Sequence, residues 1–146
     1  MIDWQKLIRA LLGKPEPDRE DLKPYGTISS EQMAIIIANK LDEIGSPADI
    51  YLPDKQCKVY RKQDVMSYSG LTEIASMKYI PETHDCDDFA AKAYGLFAGL
   101  VWTNNHAMNF IIDETGTFYF IEPQNKSLSQ KLEGAQGTAI RFIIGR

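Results

Sequence analysis

The segment HDCDDFA, residues 84–90, has the features of a helix start that carries a cysteine. Asp85 is of a residue type that caps helix N-termini, and Asp88 follows three positions later, as in a capping box. Apolar residues then recur at helical spacing: Phe89, Ala90, Ala93, Leu96, Phe97 and Leu100. The unpaired N–H groups of a helix start favour a thiolate over a thiol. The pattern therefore predicts an amphipathic helix whose first turn presents Cys86 as a nucleophile.

A β-hairpin is predicted further along the chain, with His106 opening its first strand and Glu122 ending its second. A three-residue loop that ends at a left-handed Gly116 is a common hairpin type. It pairs Met108 with Glu122 and leaves His106 diagonal to Glu122 on one face, within side-chain reach. A two-residue loop would put Glu122 on the opposite face. The three-residue loop predicts that the imidazole and the carboxylate meet. The apolar residues on the same face, Met108, Phe110, Phe118 and Phe120, are expected to pack against the side of the Cys86 helix that carries Phe89, Ala93 and Phe97.

A thiol, an imidazole and a carboxylate in this order can form the triad of thiol-dependent amide hydrolysis. Cys86 would attack the carbonyl, His106 would move the proton, and Glu122 would orient the ring and stabilise its cation. Gln124 pairs with His106 in the predicted register and is the rival orienting residue. The chain also admits a plainer interpretation, because a free cysteine is often a small buried hydrophobe. A non-enzymatic binding or interaction module on the same fold is therefore the alternative function.

The order of these residues, together with the segment Asp-Cys-Asp-Asp-Phe-Ala, resembles the papain-like and transglutaminase-like cysteine peptidase superfamily. The resemblance is strongest to the Cys-His-Glu protease domain of fungal agglutinins and to small bacterial and phage proteins, and it covers roughly residues 77–125. It implies a compact papain- or transglutaminase-like core with Cys86, His106 and Glu122 as the triad. It also implies a role for Tyr79 near the oxyanion site, a peptide or amide substrate, and hydrolysis or acyl transfer to an amine.

The acidic residues around Cys86 are candidates for a metal site. Asp85, Asp87 and Asp88 offer oxygen ligands of the kind that calcium prefers, with Glu82 close by. A zinc site is disfavoured because the histidines and cysteines lack the paired spacing of structural zinc sites. We expect no required cofactor, with calcium as the cation that the cluster would accept.

The composition predicts an ordinary soluble domain. The chain has 146 residues and a formal net charge of −4, so neither a basic stripe nor a nucleic-acid footprint is expected. It contains no apolar run long enough to span a bilayer and no signal-peptide pattern at the N-terminus. Two cysteines are too few for a disulfide framework. These features predict a cytoplasmic protein that binds no membrane.

The predicted fold class is α+β, with a small antiparallel sheet packed against helices. Residues 1–28 are expected to form an N-terminal helix and a Pro-rich arm that a protein partner could bind, and residues 29–146 a single catalytic-type domain. A well-buried helix is predicted from a serine cap at Ser29 or Ser30 to Gly45. A final strand is predicted over 138–144.

Overall fold

The computed structural model describes residues 3–4 and 20–146. The predicted N-terminal helix and the first part of the Pro-rich arm lie outside the described residues. In the described part the chain is α+β, with four α-helices, a six-stranded sheet and a two-stranded sheet. None of the helices that the structure describes has the length and apolar character needed to cross a membrane.

The elements follow one another in a mixed order along the chain. The strands are β1 Gly26–Ser29, β2 Asp49–Tyr51, β3 Gln56–Val59, β4 Gly99–Thr103, β5 Ala107–Ile112, β6 Phe118–Glu122, β7 Ser127–Ser129 and β8 Ile140–Ile144. The helices are α1 Ser30–Ile44, α2 Lys62–Met66, α3 Ser69–Ala75 and α4 Cys86–Leu96, with a single 3₁₀ turn at Gly134–Gln136.

The main sheet is larger than predicted and is mixed rather than antiparallel. Its strand order is β2-β8-β4-β5-β6-β7, and β2 runs parallel to β8 while the other neighbours are antiparallel. β1 and β3 form the separate antiparallel pair. The small antiparallel sheet was an underestimate because β2 and β7 have only three residues each, too few for a clear alternation of apolar and polar positions.

The hairpin of β5 and β6 matches the predicted register. Ile112 pairs with Phe118, and the Asp113 N–H donates to the Thr117 carbonyl at 2.9 Å. Gly116 has φ +81°, in the left-handed region that the three-residue loop requires. The Asp113 carboxylate accepts the N–H groups of Thr115 and Thr117, which fixes the turn. The loop residues therefore determine which side chains of the two strands face each other.

The first helix also begins and ends where its sequence predicts. The Ser29 hydroxyl accepts the Gln32 N–H at 3.1 Å, and the Gln32 side chain accepts the Ser29 N–H at 2.9 Å. This reciprocal capping box satisfies two backbone donors that the first turn would otherwise leave unpaired. α1 ends at Gly45, whose N–H donates back to Leu41 and Asp42. The helix buries Met33, Ile37 and Leu41.

The main sheet is apolar on both faces, and each face packs against different helices. We call the face covered by α1 the α1 face; its cluster contains Met33, Ile37, Met108, Phe110, Phe118 and Phe120. We call the other the α4 face; its cluster contains Phe89, Ala93, Phe97, Ile111 and Ile121. The alternation of side chains along a strand separates the two sets.

This arrangement corrects the predicted packing of the Cys86 helix. We expected the face with Phe110 and Phe120 to cover α4, but those rings pack against α1. The reason lies in β5, where all six residues are buried, so that the strand offers an apolar surface to each side. α4 also ends at Leu96, and Leu100, expected in the helix, belongs to β4. Helical spacing of apolar residues continued into the strand by coincidence.

Candidate functional site

An imidazole and a carboxylate meet at the end of the β5–β6 hairpin. The His106 Nε2–H donates to Glu122 Oε2 at 2.6 Å, and the two side chains are 14% and 11% exposed. Because an ionised carboxylate has no proton to donate, Nε2 carries the hydrogen and Nδ1 is left open. The contact predicted from the loop length is thus present, on the α1 face by strand alternation.

Two further donors hold the Glu122 carboxylate. The Gln136 side-chain amide donates to Oε2 at 3.3 Å, and the Gln124 backbone N–H donates to Oε1 at 3.3 Å. Gln136 is itself fixed, since its Oε1 accepts the Glu133 N–H at 2.8 Å. Glu122 is 8% exposed, so this set of donors offsets the cost of burying its charge. Gln124 approaches through its backbone, whereas its side chain was the predicted rival for orienting His106.

Thr103 joins the two turns that carry His106 and Gln136. Its hydroxyl donates to the Gln136 carbonyl at 2.7 Å and accepts the His106 N–H at 2.9 Å. The side chain is 1% exposed, and β4 shifts register against β8 next to it. Sequence reasoning missed both Thr103 and Gln136, because the contact spans 33 positions and neither residue lies in a periodic pattern.

Gly137 follows the turn that carries Gln136 and has a backbone conformation that other residues rarely adopt. Its φ is +107°, and a Cβ atom there would lie 2.5 Å from Asn104 Oδ1. That same oxygen accepts the Thr138 N–H at 3.2 Å. Only a residue without a Cβ fits this close approach, and the sequence alone does not pair Gly137 with Asn104.

A groove of about 400 Å³ opens beside the His106–Glu122 pair. Polar side chains dominate its lining: His106, Glu122, Gln124, Asn125, Ser127, Glu133 and Gln136. Gly134 and Ala135 complete one wall. A wider cleft of about 760 Å³ lies between residues 20–23 and 64–69, and it contains none of the predicted site residues.

Cys86 and Tyr79 are not part of this groove. The structure places Cys86 half-buried at the start of α4, and no hydrogen bond joins it to His106 within the described part of the chain. The helix that carries the thiol packs on the α4 face, opposite to the face that holds the Glu122 side chain. Tyr79 is 49% exposed on the loop before that helix. The structure therefore brings together two of the three predicted triad members.

The acidic residues at the start of α4 are close to one another. Ligand atoms of Asp85, Asp87 and Asp88 lie within 4.8 Å of each other. The Asp85 N–H donates to Asp88 Oδ2 at 3.1 Å, as expected for a capping residue. Hydrogen bonding with Asp87, together with the charges of both neighbours, raises the pKa of Asp85 to about 6. The chemistry of the cluster suits a hard cation, and calcium binding there stays a prediction.

Solved structures that share the fold include the following two. One, described as a PSL1a-E64 complex, has a TM-score of 0.61 and 20% sequence identity over 81% of this chain. Another is described as Polyporus squamosus lectin bound to the human-type influenza-binding epitope Neu5Acα2-6Galβ1-4GlcNAc, with a TM-score of 0.63 and 18% identity over 81% of this chain. The chain spans about half of each, 51% and 49% of their lengths. No protein-family model and no curated protein matches it.

These findings correct the functional expectation. Membership of a papain-like or transglutaminase-like peptidase superfamily is not upheld, because no family model matches and a solved structure with the shared fold is described as a lectin. The predicted hydrolase activity, the catalytic triad and the peptide or amide substrate are corrected with it. The likeness, at 20% identity and below, shows a common fold for this chain and those structures.

Proposed function

We propose that this chain is a non-enzymatic binding module whose ligand is a saccharide. The observation that carries the proposal is the polar groove of about 400 Å³ beside His106 and Glu122. Its size is that of a small-molecule site, and its side chains are those that recognise hydroxyl groups. The thiol that amide hydrolysis would need lies outside the groove lining.

The groove offers both donors and acceptors to a ligand. The side-chain amides of Gln124 and Asn125 each combine a carbonyl oxygen with an NH₂ group, and His106 leaves Nδ1 open. A saccharide hydroxyl donates one hydrogen bond and accepts others, so such a lining can satisfy a row of hydroxyls. The Asn125 Oδ1 already accepts the Ser127 N–H at 2.9 Å, which orients its NH₂ group for donation.

The walls of the groove are ordered by internal hydrogen bonds. Glu122 is held by three donors, and Thr103 ties the turn before β5 to the 3₁₀ turn of Gln136. A site that is ordered before binding loses less conformational entropy when the ligand arrives, which favours affinity.

One of the structural neighbours also supports a saccharide ligand. It is described as a lectin bound to a sialylated trisaccharide, and it shares the fold with 81% of this chain. Because this chain spans about half of that lectin, its ligand class is carried over as a proposal only. Calcium remains a proposed, additional ligand of Asp85, Asp87 and Asp88.

Glycan-array binding followed by calorimetry tests the proposal. Gln124→Ala removes one amide from the groove, and we expect a loss of affinity of about fivefold to tenfold, the equivalent of about 1 kcal/mol for one hydrogen bond. Gln130→Ala is the matched control, because Gln130 is exposed outside the groove and contributes a backbone carbonyl to Lys40. Equal losses for both variants, or no glycan bound by the wild type, would contradict the assignment.

Thiol reactivity tests the non-enzymatic part. A binding module should show Cys86 alkylating with iodoacetamide no faster than an unperturbed thiol. Cys57, which is fully buried, serves as the internal reference after normalisation in denaturant. Rapid labelling of Cys86 in the folded protein, together with amide turnover lost in Cys86→Ser, would overturn the proposal.

A further inference from the structure

The electrostatics of the groove bear on which saccharides it can accept, and this step rests on the proposed function. Two carboxylates, Glu122 and Glu133, lie in its lining. Among the described residues that line it, none is lysine or arginine. The whole chain adds to this field with a formal net charge of −4. A cleft lined by one sign of charge repels ligands of the same sign.

A basic side chain on the turn between β6 and β7 binds another part of the molecule. Lys126 lies between Asn125 and Ser127 in the chain, but its ammonium donates to the Thr72 hydroxyl at 2.8 Å. Thr72 belongs to α3, on the α4 face of the sheet. No lysine or arginine in the described lining of the groove therefore balances the charge of an anionic ligand.

The carboxylates are also occupied as acceptors. Glu122 receives His106, Gln136 and the Gln124 N–H, and Glu133 Oε1 accepts the Ser129 hydroxyl at 2.9 Å. Glu122 is nearly buried, so water screens its charge less than it would at the surface. The lining also offers the neutral amides of Gln124 and Asn125 and the imidazole Nδ1, which serve uncharged hydroxyls.

We infer that the groove selects neutral saccharides and excludes sialylated and other anionic ones. The selection acts through repulsion by Glu122 and Glu133, while the amides of Gln124 and Asn125 bind the hydroxyls. A carboxylate-bearing sugar loses affinity at this site because its charge is left uncompensated.

Isothermal titration with a matched glycan pair tests the inference. The probes are Galβ1-4GlcNAc and Neu5Acα2-6Galβ1-4GlcNAc, each measured in about 10 mM and about 500 mM NaCl. We expect the neutral disaccharide to bind about tenfold or more tightly than the sialylated one at low salt. The ratio should shrink severalfold at high salt, because screening weakens repulsion but leaves steric exclusion unchanged.

Glu133→Gln should reduce the same ratio at low salt, because it removes one of the two carboxylates that repel the sialylated glycan. Glu31→Gln, an equal charge change on the first turn of α1, is the control and should leave the ratio unchanged. Equal affinity for both glycans, tighter binding of the sialylated one, or a ratio insensitive to salt and to Glu133→Gln would overturn the inference while leaving saccharide binding intact. Failure of both glycans to bind would overturn the proposed function as well.

Discussion

The two faces of the main sheet use their polar residues in opposite ways. On the α1 face the rings of Phe110 and Phe120 form the core, and the polar pair of His106 and Glu122 lies at its end, beside the groove. On the α4 face the amide of Asn109 is fully buried in the middle of β5. Its Nδ2 group donates to the carbonyls of Ala90 and Gly99 at 2.9 and 3.0 Å.

The buried amide and the polar pair have different structural roles. Asn109 attaches α4 to the sheet, since one of its two acceptors belongs to the helix and the other to β4. His106 and Glu122 order a groove at the sheet end rather than joining a helix to the sheet. A polar residue in the middle of a face therefore fixes packing, and a polar pair at its end is free to meet a ligand.

Removing a buried aromatic ring from the core of the α1 face should lower stability the most. Phe120 is 1% exposed, so Phe120→Ala leaves a cavity and should lower the free energy of unfolding by about 3–5 kcal/mol. Urea unfolding followed by circular dichroism measures it. Ile35→Ala is the control, since Ile35 is 61% exposed on α1 and its loss should change stability by less than about 0.5 kcal/mol. A small loss for Phe120→Ala would mean that the α1 face is not a packed core.

Replacing the buried amide of the α4 face with a charged group should have the second-largest effect on stability. Asn109→Asp keeps the side-chain shape but replaces two donated hydrogen bonds with a carboxylate that faces two carbonyl oxygens. We expect a loss of about 3 kcal/mol near neutral pH, because the buried charge has no partner. The loss should shrink at about pH 4, where the carboxyl can be protonated.

Asn109→Leu separates charge from shape in that experiment. Leucine cannot ionise, so its cost should not change with pH. It also removes the Asn109 Oδ1 atom, which is buried without a hydrogen-bond partner in the described part of the chain. A pH-independent loss in Asn109→Asp would contradict the buried-charge explanation.

The smallest expected effect on stability comes from the carboxylates at the start of α4. They lie beside one another, whereas Glu122 in the groove lies beside hydrogen-bond donors. Asp85 has a pKa raised from 3.8 to about 6 by hydrogen bonding with Asp87 and by nearby charge. The folded state therefore holds the proton more tightly than the unfolded chain. The resulting stabilisation is present in full below about pH 4 and is lost as the pH rises through about 6.

Comparison with Asp85→Asn isolates this contribution. Asparagine caps a helix as well as aspartate does but does not ionise. The free energy of unfolding of the variant minus that of the wild type should be larger at neutral pH than at acid pH. Urea unfolding of both proteins across that range measures this difference. A constant difference would refute the raised pKa.

Calcium should raise the melting temperature of the wild type and not of Asp87→Asn if the cluster of Asp85, Asp87 and Asp88 binds it.

The sequence predicts local features of this fold well. The loop from Asp113 to Gly116 determines the hairpin register, and Ser29 with Gln32 determines where α1 begins. In both cases the residues that decide the structure lie within five positions of each other. The contact of His106 with Glu122 follows from the hairpin and could be predicted for the same reason.

Features that depend on distant parts of the chain could not be predicted. β5 is apolar at nearly every position, so nothing in it indicates which helix covers which face. The predicted side of α4 was wrong for this reason. Thr103 and Gln136 meet only because β4 and β8 are neighbours in the sheet. The groove depends on that contact, so its wall was not visible in the sequence although the His106–Glu122 pair was.

Gly137 has a consequence for anyone who would redesign the groove. Any larger residue there would need a backbone angle that it rarely adopts and space that Asn104 already occupies. Ala135 is exposed, and Gly134, at φ +52°, has no heavy atom within 4 Å of where a Cβ would lie. That angle suits asparagine or aspartate better than other side chains. Varied residues at Ala135, with asparagine or aspartate at Gly134, should therefore yield folded variants. A library that varies position 137 would instead consist mostly of chains in which this wall of the groove is no longer formed.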